Sequence, residues 1–156
     1  MKLLEKTNGG FLVTKVKQIQ GRVFERLLDE NGISEFNGAQ GRILFVLWES
    51  NNIPISELSE KTGLAKTTLT SMLDRLENAG HIRRAADSTD RRAVRISLTE
   101  SAEALREKYE RVSALMNEIF YKGFSDDEIL AFEKALGKIL ENLCEKENEN
   151  GQKNQG

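Results

Sequence analysis

Residues 55–98 read ISELSEKTGLAKTTLTSMLDRLENAGHIRRAADSTDRRAVRISL, and this stretch decides the fold. It holds two helical patterns joined by a tight turn and followed directly by a basic hairpin. A short helix over 56–62 begins just after Pro54, the chain's only proline, and Gly63 closes it, because glycine accepts the left-handed backbone that a sharp turn demands. A second helix is predicted over 66–79, with Leu69, Met72, Leu73 and Leu76 on its inner face and Gly80 as its stop. Leu58 and Leu64 anchor the first helix and the turn, while Ser59 supplies the small residue needed where the two helices cross. Lys66, Thr67, Thr68, Ser71 and Arg75 are left facing outward. Short hydroxyls and cations of this kind approach base edges and phosphates in a major groove without steric bulk, and arginine can grip guanine with two hydrogen bonds.

After His81 the pattern turns from helical to extended. Runs over 81–85 and 93–98 flank the turn-rich segment 86–92, which predicts a β-hairpin with a long tip. Arg83, Arg84, Arg91, Arg92 and Arg95 crowd five guanidinium groups around it, a density that repels itself unless counter-charge or phosphate offsets it. Asp87 and Asp90 partly do so. A hairpin projecting beside a recognition helix can reach the adjacent minor groove, where arginine is drawn by negative potential. An Arg/Asp network at the hairpin base is the bland alternative, and the two readings can each hold for different arginines.

Overall charge conceals this patch. The 156 residues carry a net charge of −2, yet 66–95 hold 7 basic and 4 acidic groups whereas 96–150 hold 7 basic and 13 acidic ones. A short basic stretch in an acidic protein is the footprint of a localised anionic partner. With 38% hydrophobic and 31% charged residues, and no run near the roughly 20 apolar residues of a membrane span, the chain reads as soluble, with no membrane partner. Residues 1–10 are too polar for a signal peptide, and a reducing cytoplasm is the expected location. One cysteine excludes an internal disulfide, and one cysteine with one histidine falls short of a zinc ligand set, so neither a metal nor a cofactor is implied.

Helical patterns surround the central stretch. Leu12, Val16, Ile19, Val23, Leu27 and Leu28 share one face of a helix over 11–31 that ends at Asn31-Gly32. Asn37 and Gln40 form the signature of a capped helix start, and Ile43, Leu44, Leu47 and Trp48 form its buried stripe. Beyond Thr99, Leu105, Tyr109, Val112, Met116 and Ile119 step at helical spacing, as do Ile129, Phe132, Leu136, Ile139 and Leu143 after a capping box at 125–128. The last residues, polar and glycine-containing, predict a disordered tail over 147–156. Three such apolar stripes exceed what a small winged-helix core can cover, which points to a homodimer, with an internally packed monomeric bundle as the alternative.

Taken together, these residues resemble the MarR family of winged-helix regulators, most closely its SlyA-like members. LAKTTLTSMLDRLENAGHIRR over 64–84 is similar to the family's recognition helix and its exit into the wing. Asp90-Arg91-Arg92 and Leu98-Thr99-Glu100 resemble its wing motif and the start of the next helix. The resemblance implies a mainly α fold with a small β-hairpin wing. A winged helix-turn-helix DNA-binding domain would occupy 33–98, with a helical dimerisation region from 1–32 and 99–146. It implies a repressor acting as a homodimer on double-stranded DNA. By the same resemblance, Lys66, Thr67, Thr68, Ser71, Arg75, Arg84, Arg91, Arg92 and Arg95 contact DNA, with Arg91 entering the minor groove and Asp90 with Arg92 bracing the wing. Arg42, Phe45 and Trp48 would lie near the crevice for a small phenolic or other aromatic effector. Ala65 departs from the pattern, since many relatives place a capping residue there, so Thr67 or water must satisfy the first N–H groups of the helix.

Other features carry less. Cys144 has Glu141, Glu145 and Glu147 as neighbours rather than the electropositive setting of a reactive thiolate, and simple packing is expected. His81, next to the hairpin, reads as a packing or phosphate-contact residue. An enzyme is not expected, because no phosphate-binding glycine loop, paired-histidine motif or nucleophile with a histidine base is present. The remaining alternative is a dimeric protein–protein interaction module using the winged helix, whose binding would lack the steep salt dependence of DNA binding.

Overall fold

The computed structural model describes residues 2–153. Helix α1 (Gly9–Glu30) ends at Asn31, and α2 (Gly38–Glu49) opens at Asn37, whose side-chain oxygen accepts the Gln40 N–H at 2.8 Å while the Gln40 side chain accepts the Asn37 N–H at 3.0 Å. That reciprocal cap satisfies two of the helix's orphan donors, as the spacing predicts. Strand β1 (Ile53–Pro54) leads directly into α3 (Ile55–Thr62), and α4 (Lys66–Asn78) follows the turn. Gly63 sits at φ +74°, the left-handed conformation required of it. Ser59 does more than clear space, for its hydroxyl donates to the Leu64 carbonyl at 2.6 Å and fastens the turn back onto α3.

Strands β2 (Ile82–Ala86) and β3 (Val94–Leu98) form the expected antiparallel hairpin, paired from Ile82↔Leu98 to Ala86↔Val94. Strand β1 is not foreshadowed by the residue pattern, and it adds to the free edge of β3 through Ile53↔Ile96 and Pro54↔Arg95. The sheet order is therefore β1-β3-β2. Two residues carry too little alternation to announce a strand, and proline lacks a ladder donor, so it is tolerated only on an edge such as this.

The core lies where α2, α3, α4 and the sheet converge. Ile43, Leu44, Leu47, Leu58, Leu69, Leu73, Leu76 and Ile96 are fully buried, each contributing about 1.5–3 kcal/mol of transfer free energy. The helical stepping beyond Thr99 is realised as a short α5 (Glu100–Glu103) followed by α6 (Arg106–Phe120). Tyr109 on α6 packs among Phe24, Phe36, Phe45 and Trp48, with ring centroids 5.3–5.9 Å away. Gly41 on α2 lets that ring approach, since a Cβ there would lie 2.8 Å from Tyr109. Trp48 donates its indole N–H to the Ala102 carbonyl at 3.1 Å.

This packing ties α1, α5 and the first part of α6 to the winged helix, and one compact unit ends at Met116. A second begins at Asn117 and contains α7 (Asp126–Lys153), whose capping box pairs Ser125 with Glu128. Phe120, Tyr121, Phe124 and Phe132 pack as an aromatic corner in this unit, and the Tyr121 hydroxyl donates to Glu133 at 2.8 Å. The expected disordered tail over 147–156 is corrected in part. Helix α7 continues through Lys153, because 147–150 contains no proline and the Lys146–Glu149 pair at 3.2 Å supports the turn; residues 154–156 lie outside the described part. Among the described residues, no helix is long and apolar enough to cross a membrane.

Candidate nucleic-acid interface

Helix α4 turns its buried leucines inward and leaves Lys66, Thr67, Thr68, Ser71 and Arg75 exposed, all five as the spacing predicts. Its N-terminus is bare. No side chain caps it at Ala65, so of the two expected partners, Thr67 or water, water is the one left, and the first N–H groups stay open to it or to an anion. Aligned peptide dipoles add a partial positive charge at this end. The outward face thus combines hydroxyls, two cations and free backbone donors.

Beside it, the five hairpin arginines divide into two kinds. Arg84 is held: its guanidinium lies 2.7 Å from Asp74 and 3.0 Å from Glu77, both on α4, and its backbone N–H donates to Glu77 at 2.9 Å. The Arg84 hydrogen bond keeps the Glu77 carboxyl below its ordinary range, and Glu77 followed by Asp74 raises the guanidinium above its own. Arg95 is held as well. It meets Asp87 at 3.0 Å and reaches the side chain and backbone carbonyl of Asn52, at the turn before β1. Asp87 in turn accepts from the backbone and hydroxyl of Thr89 at 2.8 and 2.7 Å, and these bonds, with the Arg95 pairing after them, hold its carboxyl far below the usual range. Asn52 takes φ +57°, which asparagine tolerates better than most residues.

Arg83, Arg91 and Arg92 are exposed and make no ion pair among the described residues. The brace expected between Asp90 and the Arg92 side chain is therefore corrected. Asp90 accepts the backbone N–H of Arg92 at 3.0 Å, shaping the tip turn, while the ion pair that stiffens the hairpin is Arg95–Asp87. A carboxylate two residues away in a tight turn is better placed for the main chain than for a long side chain. Arg84 and Arg95, both expected on DNA, have their charges committed within the protein. Asp74, Glu77 and Asn52, which commit them, do not stand out in the sequence; the acidic pair at i and i+3 on α4 is the one signal that points to them.

Away from α4 and the wing, a cleft of about 340 Å³ opens between α1 and α2, bordered by Lys17, Arg22, Phe24, Glu25, Gly38 and Arg42. Glu25 is occupied, accepting the Gly38 N–H at 2.5 Å, so three cations outnumber it there. Of the residues expected near an effector, Arg42 borders this cleft. Phe45 instead stacks on Tyr109, and Trp48 is core. His81 is buried, with its Nε2 2.9 Å from the Glu35 carbonyl, which makes it a packing residue. Cys144 is exposed on α7.

The MarR family profile matches residues 36–94, a span that holds α4, β2 and the hairpin tip and stops at the first residue of β3. The HTH-type transcriptional regulator TtmR of Methylorubrum extorquens is 37% identical over 98 residues, which cover 63% of this chain and 49% of that protein, so the chain spans about half its length. The organic hydroperoxide resistance transcriptional regulator of Bacillus subtilis is 30% identical over 136 residues, covering 87% of this chain and 89% of that protein. Among solved structures, a mutant of MarR from E. coli complexed with operator DNA is similar with a TM-score of 0.75 at 27% identity, over 84% of this chain and 92% of that one.

Proposed function

We propose a function from one premise: the chain belongs to the MarR family, and is a transcriptional regulator with a DNA-binding winged helix rather than an enzyme. It acts in the cytoplasm as a homodimeric repressor on a palindromic operator, and a small aromatic effector releases it. One observation carries this reading: the exposed hydroxyls and cations of α4 stand beside a wing whose tip bears Arg91 and Arg92, neither guanidinium paired with a carboxylate among the described residues. Thr67, Thr68 and Ser71 meet base edges, Lys66 and Arg75 meet phosphate, and the tip guanidiniums reach the minor groove.

Dimerisation is supported by apolar surface that a monomer would leave wet. Phe11, Leu12, Val13, Val16 and Ile19 are 42–69% exposed along α1, and Leu130, Ile139, Leu140 and Leu143 are 48–66% exposed along α7. Two helices that each expose several large apolar side chains offer surface suited to an interface. A two-fold dimer presents two recognition helices to successive major grooves, about one helical turn apart. The cationic α1–α2 cleft suits an aromatic carboxylate or phenolate, with Phe24 as its apolar wall.

Selection of bound duplexes from random DNA, combined with sedimentation at micromolar concentration, tests the reading. An inverted repeat bound by a dimer is expected, and occupancy of that repeat should block transcription from an overlapping promoter. A monomer that enriches no duplex would refute it. Titration with benzoate or phenol should weaken operator binding, and Arg42→Ala should blunt that effect.

A further inference from the structure

We propose that Arg84 is a positioning residue: Asp74 and Glu77 withhold its charge from DNA, and the resulting clasp sets the angle of the wing to the recognition helix and so governs sequence specificity. This rests on the DNA-binding reading above. Within a basic hairpin, Arg84 is the kind of residue expected to touch phosphate, yet both ends of it are spoken for. Its guanidinium meets Asp74 at 2.7 Å and Glu77 at 3.0 Å, and its main-chain N–H donates to the other Glu77 oxygen at 2.9 Å.

The charge balance of this cluster decides its role. One guanidinium between two carboxylates leaves a net negative spot on the flank of α4, not a positive one. Drawing Arg84 out to a phosphate would uncover both carboxylates next to the DNA backbone, an arrangement that like-charge repulsion opposes. The held state is thus the one compatible with bound DNA.

Geometry says what holding achieves. Arg84 lies at the middle of β2, opposite Ile96, two residues before the strand gives way to the tip. Asp74 and Glu77 lie one turn apart on the helix that carries Thr68 and Ser71. One guanidinium nitrogen, Nη2, meets both carboxylates, and Nε adds a longer contact of 3.4 Å to the same Glu77 oxygen, so a rigid plane fixes the direction of the clasp where a lysine ammonium on its flexible stem would not. Since all three side chains are part-exposed, solvent screens the pair and it adds little to stability; its contribution is orientation. Two readers joined at a fixed angle accept only DNA on which base recognition and minor groove coincide.

The experiment measures binding to the selected operator and to a scrambled duplex across a range of salt, using the wild-type protein, Arg84→Gln, Arg84→Lys and the double variant Asp74→Asn with Glu77→Gln. Arg84→Gln is expected to weaken operator binding by about tenfold and scrambled binding by clearly less, the latter because both carboxylates are uncovered, with the salt slope and melting temperature nearly unchanged. Arg84→Lys, which keeps the charge but loses the rigid plane and the Nε contact to Glu77, should recover only part of that specificity. The double carboxylate variant frees a cation, so scrambled binding should tighten, the salt slope should steepen by about 0.9, and the operator preference should fall. Equal losses on both duplexes with a slope flatter by about 0.9 for Arg84→Gln would make Arg84 a phosphate ligand and overturn the proposal. An unchanged slope and preference in the carboxylate variant would overturn it too. A wild-type protein with no operator preference would instead sink the DNA-binding reading and this inference with it. If Arg84→Gln fails to fold, the lysine and carboxylate variants still decide.

Discussion

On α4 the outward face is made of Thr67, Thr68 and Ser71 with Lys66 and Arg75 at its margins, while the wing offers guanidiniums, some committed and some free. Short hydroxyls have few rotamers and little reach, so they report where the backbone of the helix sits. Arginines reach far and lose more entropy on fixing, so a wing must either immobilise them by ion pairs or leave them to find phosphate. Each reader therefore needs a different support: α4 is positioned by buried leucines, and the wing by Arg84 and Arg95 acting as polar struts. On the proposed DNA-binding reading, specificity and attachment should be separable on this surface.

The largest expected effect tests the helix. Replacing Thr68 and Ser71 by alanine should cost about 1–3 kcal/mol of operator binding for each base-edge hydrogen bond removed, and leave scrambled DNA bound nearly as before. Titrations on both duplexes check this; parallel losses would mean that the hydroxyls touch only phosphate, and the contrast between helix and wing would dissolve.

Next comes the free tip. Arg91→Ala and Arg92→Ala should each weaken operator and scrambled binding together and flatten the salt slope by about 0.9, with the melting temperature unchanged. Because neither side chain is paired in the structure, they should behave alike; a lower melting temperature in Arg92→Ala alone would restore a bracing role to that residue.

Arg95→Ala should do the reverse, disturbing the wing more than its charge. Without the bonds to Asp87 and Asn52, hydrogen exchange over 86–94 is expected to speed up by about tenfold, while Ile43 and Leu44 in the core keep their protection. Exchange unchanged across the tip would show that the strut is dispensable.

The smallest effect is in pH. Asp87 has a folded-state pKa below its unfolded one, chiefly through the Thr89 bonds, so its contribution is fully present above the ordinary carboxylate range and is lost only as pH falls through the depressed value. Wing protection, taken relative to the intrinsic exchange rate at each pH, should therefore be flat from pH 7 to about pH 4, near the ordinary aspartate value, and Asp87→Asn should remove whatever further acid dependence remains below it. A wing that loosens between about pH 6 and pH 5 would require some other titrating group.

What the sequence determined by itself was local. Helix starts at Asn37 and Ser125, the turn at Gly63 and the buried leucines of α4 follow from groups within about four residues of one another, where backbone geometry dictates who meets whom, and the hairpin after His81, though it pairs Ile82 with Leu98, was legible from the turn-rich segment at its centre. The exposed face of α4 was legible for the same reason. Tertiary structure decided the rest. Strand β1 exists only because β3 presents a free edge to Ile53, and Tyr109 became the centre of an aromatic cluster because α1, α2 and α6 converge on it. Most of all, it sorted the arginines. Arg84 finds Glu77 seven positions back along the chain and Arg95 finds Asn52 forty-three away. A guanidinium on a flexible stem pairs with whichever carboxylate or carbonyl the packed elements bring within about 3 Å, and spacing along a chain does not encode that distance.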